Sequence, residues 1–87
     1  MNDVPAKRAA SFSETRIDDE VVVMALASGE FFSLRETARE VWEAIDGERT
    51  RDEIVAVLAA VHGVEPAAIT DDVDIFLAEL HGAGLVD

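Results

Sequence analysis

The chain has 87 residues, a formal net charge of −12 and no cysteine, and 49% of its residues are hydrophobic. This length allows one compact domain, the apolar content argues against a disordered chain, and the lack of cysteine excludes disulfides, thiolate metal sites and thiol nucleophiles. All seven basic residues lie at or before Arg51, and every charged residue after it is acidic. Because phosphate contacts supply most of the affinity for nucleic acid, this distribution argues against a nucleic-acid partner.

Residues 1–10 combine mixed charge, small side chains and one proline, which predicts a flexible arm in front of a single domain at residues 11–87. The opening sequence MNDVPAKRAAS lacks the apolar centre of a secretory signal. No apolar run approaches the roughly 18 residues that span a bilayer. We therefore expect a cytoplasmic protein that makes no membrane contact.

Strands are predicted in the first half of the chain. Residues 11–17 alternate weakly between apolar and polar side chains and predict a short first strand, and the acidic run 18–20 predicts a turn. Residues 21–26 are apolar at both parities. A strand with one wet face should alternate, so this strand is predicted to be central in its sheet or covered on both faces.

A hairpin follows from the next residues. Ser28-Gly29 supplies a turn in which glycine takes a positive φ easily, and residues 29–34 form the return strand. Side chains alternate along a strand, so Phe31 and Phe32 must point to opposite faces. The sequence leaves open which of the two faces the core.

Three amphipathic helices are predicted after the hairpin. The first covers residues 35–47, the second begins at a capping box formed by Thr50 and Glu53, and the third ends at about Gly82. Their apolar stripes, spaced as one face of a helix, are Ala38, Val41, Trp42 and Ile45, then Ile54, Val57, Leu58 and Val61, then Val73, Phe76, Leu77 and Leu80. The predicted fold class is α+β, with a short antiparallel sheet followed by three helices.

The sequence offers little for catalysis. No serine lies in a G-x-S-x-G turn, and the chain has neither a Gly-rich phosphate loop nor a zinc-ligand spacing. His62 and His81 lie near predicted helix ends, where the helix dipole favours a cation, and the dipole equally explains the acids that begin the third helix, Asp71, Asp72 and Asp74. We expect no enzymatic activity, no cofactor and no bound metal.

The return strand predicts a binding site. Proteins usually protect a sheet edge with lysine, proline or bulges, but Glu30 is the only charged residue at 29–34 and proline is absent there. An extended peptide could add to this edge as a further strand. The alternatives are that the first strand, or a second copy of the chain in a strand-edge dimer, covers it.

Several segments, in this order and spacing, resemble the PqqD-like proteins, also called RiPP recognition elements. These segments are Ser28-Gly29, Phe31-Phe32, Leu34, Thr37-Ala38, Val41-Trp42, Asp46-Gly47, Arg49-Thr50, Glu53-Ile54, Asp72-Val73, Phe76-Leu77 and Gly84-Leu85. The resemblance covers residues 12–87 and implies a winged-helix-like fold of three strands and three helices. It also implies non-catalytic binding of the leader segment of a ribosomally made precursor peptide, which is presented to a separate modifying enzyme.

The resemblance implies a site as well. The leader would add as a strand beside the third strand and pack in a groove against the third helix. Backbone pairing would come from Glu30, Phe31, Phe32, Ser33 and Leu34. The groove would be walled by Phe31 or Phe32 together with apolar side chains of the third helix, namely Val73, Phe76, Leu77 and Leu80. An apolar stripe of this kind is often core, so about half of these residues are expected to contact the peptide.

The resemblance is closer to one branch of the family than to another. Members that serve pyrroloquinoline quinone synthesis commonly carry a Pro-Glu-containing segment where this chain reads MALASG at residues 24–29, and members often have asparagine at the position of Arg35. The small stand-alone proteins of lasso-peptide clusters are more alike, and they deliver a leader to a protease and cyclase. A chaperone that serves a radical enzyme in quinone synthesis and a winged-helix transcriptional regulator are the alternatives.

Overall fold

A computed structural model describes residues 4–87. Three strands come first, β1 (Phe12–Ile17), β2 (Glu20–Ala25) and β3 (Phe31–Leu34), and three helices follow, α1 (Glu36–Ala44), α2 (Arg51–His62) and α3 (Thr70–Gly82). Two short 3-10 turns, Ala9–Ser11 and Pro66–Ala68, precede β1 and α3. The predicted α+β order of a three-stranded antiparallel sheet followed by three helices is confirmed.

The sheet has the order β1-β2-β3, so the apolar strand β2 is central, as predicted. Both pairings are antiparallel, and the register places Val23 opposite Glu14 of β1 and Phe32 of β3. Directly opposed residues share a face of the sheet, so Phe32 lies on the face of Val23 and Phe31 lies on the other face. The question that the sequence left open is thereby answered: Phe32 is the inward aromatic.

The helices cover only the inner face of the sheet. The fully buried core joins this inner face to all three helices and to the C-terminal segment, and its largest members are Trp42, Ile54, Leu80, Leu85, Val21, Val23, Val41 and Val73. On the outer face Val22 and Met24 are half-buried, and Phe31 is 67% exposed. The sequence also allowed β2 to be covered on both faces. Within residues 4–87 the helices cover only its inner face, so this alternative is not found.

The capping box of α2 is present as predicted. The Glu53 amide donates to Thr50 Oγ1 at 3.1 Å, and the Thr50 amide donates to Glu53 Oε1 at 2.9 Å. Before it, Asp46 orders the α1–α2 connection by accepting at Oδ1 from the amides of Arg49 (2.8 Å) and Glu48 (2.9 Å). These hydrogen bonds favour the carboxylate, so they lower the pKa of Asp46.

The N-terminal segment, for which the composition predicts a flexible arm, contacts the other end of the chain. Residues 1–3 lie outside the described residues, but Lys7 forms an isolated antiparallel bridge with Val86, and the Asp87 amide donates to the Ala6 carbonyl at 2.9 Å. Pro5 is buried. No local pattern in residues 4–8 indicates this contact, because it depends on where the other end of the chain lies.

Candidate functional site

The free edge of β3 exposes backbone hydrogen-bonding groups. The Ala25 amide donates to the Glu30 carbonyl at 2.8 Å, so this opposed pair is a hydrogen-bonded one. Bonded and non-bonded pairs alternate along antiparallel strands, and the register therefore directs the amides and carbonyls of Phe32 and Leu34 toward β2. The amides and carbonyls of Phe31 and Ser33 point away from the sheet, where a further strand would pair.

Two side chains flank these groups on the outer face. Phe31 is largely exposed, whereas the Ser33 hydroxyl donates to Glu20 Oε2. Arg35 donates from Nε to the same carboxylate oxygen at 3.0 Å. One end of the edge is therefore polar and internally satisfied, and the other end carries a largely exposed aromatic ring.

Apolar side chains of β3 and α3 lie at the margin of the core. Phe32 of β3 and Phe76 of α3 are both half-buried and pack against the same core. Leu77, the neighbour of Phe76, lines a different cleft of about 590 Å³ whose other walls include Pro5, Arg51 and Val86. Successive residues of a helix are about 100° apart, so Phe76 and Leu77 lie on opposite sides of the buried line formed by Val73 and Leu80. The two flanks of α3 thus face different surfaces.

The structure divides the sequence-predicted site residues by burial. Leu34, Val73 and Leu80 are buried in the core. Phe32, Phe76 and Leu77 are half-buried, and the remaining three, Glu30, Phe31 and Ser33, are exposed. The half-buried and exposed residues have surface to offer a ligand, whereas the three core residues support the strand and helix that carry them.

An ion pair that the sequence analysis missed lies in the cleft behind Leu77. Arg51 Nε donates to Asp74 Oδ1 at 2.6 Å, and a second guanidinium nitrogen donates to Oδ2. The hydrogen bonds from Arg51 lower the pKa of Asp74, and the same bonds raise the pKa of Arg51. The position of Asp74 in the sequence indicated only an interaction with the helix dipole. The structure adds an ion pair with Arg51.

The remaining chemistry is sparse. Within residues 4–87 no group of three or more His, Cys, Asp or Glu residues is placed to hold a metal ion. None of the helices in this part of the chain is long and apolar enough to cross a membrane. His62 contacts Glu40 at the end of α2, at 2.5 Å.

Comparison with known proteins shows the family of the chain. No curated protein sequence matches the chain. A solved structure described as TbiB1 in complex with the TbiA(beta) leader peptide matches with a TM-score of 0.79 and 27% sequence identity, covering 88% of this chain and 90% of that chain. The family model for coenzyme PQQ synthesis protein D (PqqD) matches residues 20–86. The chain therefore belongs to the PqqD family.

Proposed function

We propose that this protein binds the leader segment of a ribosomally synthesised precursor peptide as a fourth strand beside β3, without catalysing a reaction itself. The observation that carries the proposal is the unprotected edge of β3, where Phe31 and Ser33 direct backbone donors and acceptors outward. Strand addition uses such groups for affinity and neighbouring pockets for specificity. The similarity to TbiB1, whose solved structure contains a leader peptide, supports the proposal.

The geometry indicates which residues would contact the leader on each face of the sheet. Side chains of the added strand would alternate between the two faces of the sheet. On the inner face they would meet Phe32 and the Phe76 flank of α3, and on the outer face they would meet Phe31. We assign Phe76 rather than Leu77 to the leader groove, because Leu77 lines the cleft next to Pro5 and Val86.

The leader would then be delivered to a separate modifying enzyme. We propose a lasso-type pathway with a leader protease and cyclase, supported by the MALASG sequence at residues 24–29, which lacks the Pro-Glu-containing segment. The family description favours the second candidate, a peptide chaperone of quinone-cofactor synthesis that serves a radical enzyme. Which precursor gene lies beside this one distinguishes the two pathways.

A titration tests the binding step. A fluorescently labelled leader peptide, synthesised from the precursor gene beside this one, is titrated with the protein and followed by anisotropy, with a scrambled peptide as the control. We expect saturable binding in the micromolar range or tighter, about −8 kcal/mol, and no saturation with the scrambled peptide. Equal binding of both peptides by a correctly folded protein would contradict the proposal.

The same samples test the strand-edge dimer. A dimer formed through β3 would bury the groups that the leader needs, so leader binding and dimerisation would compete. We expect sedimentation to show a monomer that binds one leader. A dimer that persists unchanged at saturating leader would mean that the leader pairs elsewhere.

A further inference from the structure

Helix α2 is apolar on a side that the domain does not bury. All eight residues from Ile54 to Val61 are apolar, and a helix that is apolar all round is normally covered all round. One side of α2 faces the core through Ile54, Val55, Leu58 and Ala59. Val57 and Val61, predicted on the same stripe as Ile54 and Leu58, lie instead at its exposed margin beside Ile54, and Val64 follows just past the helix. Val61 is 69% exposed.

This exposed side borders a cleft between α1 and α2. The cleft has a volume of about 430 Å³ and is lined by Ala44 and Leu58 together with Val57 and Val61. Its polar lining consists of three of the seven basic residues of the chain, Arg16, Arg39 and Arg49, and of two acids, Glu40 and Glu43. The cleft thus combines an apolar floor with a small excess of positive charge, on a chain whose net charge is −12.

Two of these arginines are incompletely paired. Arg16 and Arg39 share the Glu43 carboxylate at nitrogen–oxygen distances of 3.6 and 3.4 Å. Their other acidic neighbours lie at 3.7 Å (Glu14) and 4.0 Å (Asp19). Within residues 4–87 the buried Arg39 Nε has no hydrogen-bond partner. Arg51, by contrast, makes a bidentate pair with Asp74, whereas in this part of the chain no ion pair of Arg16 or Arg39 is shorter than 3.4 Å.

The cleft does not suit a second copy of the same chain. A two-fold symmetric contact would place this face against itself, so the arginines of one copy would meet those of the other. Each copy also carries a net charge of −12, which opposes association. The chemistry instead fits another protein that presents apolar and acidic side chains together.

We propose that the α1–α2 cleft is the docking surface for the modifying enzyme. A segment of the enzyme would cover Val57 and Val61 with apolar side chains and place a carboxylate against the exposed guanidinium of Arg16. This inference rests on the proposed function, because it assumes an enzyme that receives the leader. None of the cleft residues belongs to the β3 edge or to the Phe76 flank of α3, so leader and enzyme can be held at the same time.

The test measures enzyme and leader binding separately. The probe is the purified modifying enzyme encoded beside the same precursor gene, and its association with the leader-loaded protein is followed by biolayer interferometry. The variants are Val61→Asp, which places a charge on the apolar floor, and Arg16→Glu, which reverses the rim charge. Ile75→Asp is the matched control, because Ile75 is a similarly exposed apolar residue (58%) on α3. Circular dichroism verifies the fold of each variant.

We expect Val61→Asp and Arg16→Glu each to weaken enzyme binding by about tenfold or more, while leader affinity stays within about twofold of wild type. Ile75→Asp should leave enzyme binding unchanged. Wild-type enzyme binding by a folded Val61→Asp variant, or an equal loss with Ile75→Asp, would overturn the docking surface. Self-association that Val61→Asp abolishes would overturn it as well. Failure of the wild-type protein to bind leader would instead overturn the proposed function.

Discussion

The two edges of the sheet are built differently. On β1 the Leu26 amide of the facing segment donates to the Ser11 carbonyl at 2.9 Å, so this opposed pair is a hydrogen-bonded one. Bonded and non-bonded pairs alternate along antiparallel strands. The backbone groups that point away from the sheet on β1 are therefore those of Phe12, Glu14 and Arg16. Glu14 and Arg16 share the inner face of the sheet, and inward-pointing charges are one way in which proteins protect an edge.

On β3 the same outward positions are Phe31 and Ser33, and the strand contains no charge. The comparison shows that this small domain protects one edge and leaves the other able to pair. It also shows that the protected edge has a structural role, because the inward carboxylate of Glu14 accepts a hydrogen bond of 2.8 Å from Trp42 Nε1. A fully buried indole thus has its donor satisfied by β1.

Removing one outward amide from β3 should have the largest effect. Ser33→Pro deletes the donor and puts a ring where the leader would lie, but edge strands tolerate proline where the amide faces solvent. The lost hydrogen bond is worth about 1 kcal/mol, or about fivefold in affinity, and the clash of the ring with the leader adds to this loss. We therefore expect leader affinity to fall between about tenfold and a hundredfold. Anisotropy titration of the labelled leader measures the affinities of Ser33→Pro and wild type.

Two controls accompany this variant. Ser33→Ala removes only the hydroxyl that contacts Glu20 and should bind leader normally. Arg16→Pro makes the equivalent change at the β1 edge and should also bind normally. Equal losses from Arg16→Pro and Ser33→Pro would show that the two edges do not differ in function.

A second pair of variants extends the comparison to the flanks of α3. Phe76→Ala removes the proposed groove wall, and Leu77→Ala removes a half-buried side chain of the other cleft. Both should lower the free energy of unfolding by about 1–3 kcal/mol, less than a fully buried truncation. We expect only Phe76→Ala to weaken leader binding, by about fivefold to tenfold. A larger loss with Leu77→Ala would place the groove on the opposite flank.

The structural role of β1 predicts a smaller effect, confined to stability. Glu14→Ala leaves the buried Trp42 donor without its partner, and an unsatisfied donor costs about 1–3 kcal/mol. Because Glu14 is itself partly open to water, we expect about 1 kcal/mol in chemical denaturation followed by Trp42 fluorescence. Thr15→Ala, an exposed change on the same strand, is the control. Leader affinity should not change, and a loss of it would make β1 part of the site.

The smallest expected effect concerns the cleft behind Leu77. Hydrogen bonds from Arg51 lower the pKa of Asp74 below its ordinary value of 3.8. A lowered pKa in the folded state gives stability that is present above the unfolded-state pKa and is lost as pH falls through the folded-state value. Because the pair is largely exposed, the gain should be a few tenths of a kcal/mol. The Tm difference between wild type and Asp74→Asn should therefore shrink from pH 5 to pH 2.

Asp71→Asn is the control for this pH series, because Asp71 is an exposed acid of the first turn of the same helix. It reports the effect of an acid at this helix terminus without the Arg51 pair, and the Tm difference for Asp74→Asn should shrink by more than this on acidification. A difference for Asp74→Asn that grows on acidification would mean that the Arg51 pair does not stabilise the folded state.

Local signals in the sequence predicted much of the fold. The Thr50–Glu53 capping box and the place of Trp42 in the apolar stripe of the first helix were both predicted, because short-range hydrogen bonding and helical periodicity determine them. The capping glycine at residue 63 has a positive φ of 65°, a conformation that glycine adopts readily.

Features that depend on distant contacts were not predicted. The faces of Phe31 and Phe32 stayed open because β2 is apolar at both parities, and only the observed register decides between them. The division of α3 into two flanks depends on the N-terminal segment that covers one of them. The Glu14–Trp42 hydrogen bond and the Arg51–Asp74 pair each join residues more than 20 positions apart, a separation at which no sequence periodicity operates.

Amide hydrogen exchange at the two edges, measured with and without the leader peptide, tests directly whether the leader pairs with β3 and not with β1. Residue-resolved exchange follows the outward amides of Phe31 and Ser33 on β3 and of Glu14 and Arg16 on β1. We predict that saturating leader slows amide exchange at Phe31 and Ser33 and leaves the exchange rates of Glu14 and Arg16 unchanged. Tight leader binding without protection of Phe31 and Ser33, or with protection of the β1 amides instead, would contradict it.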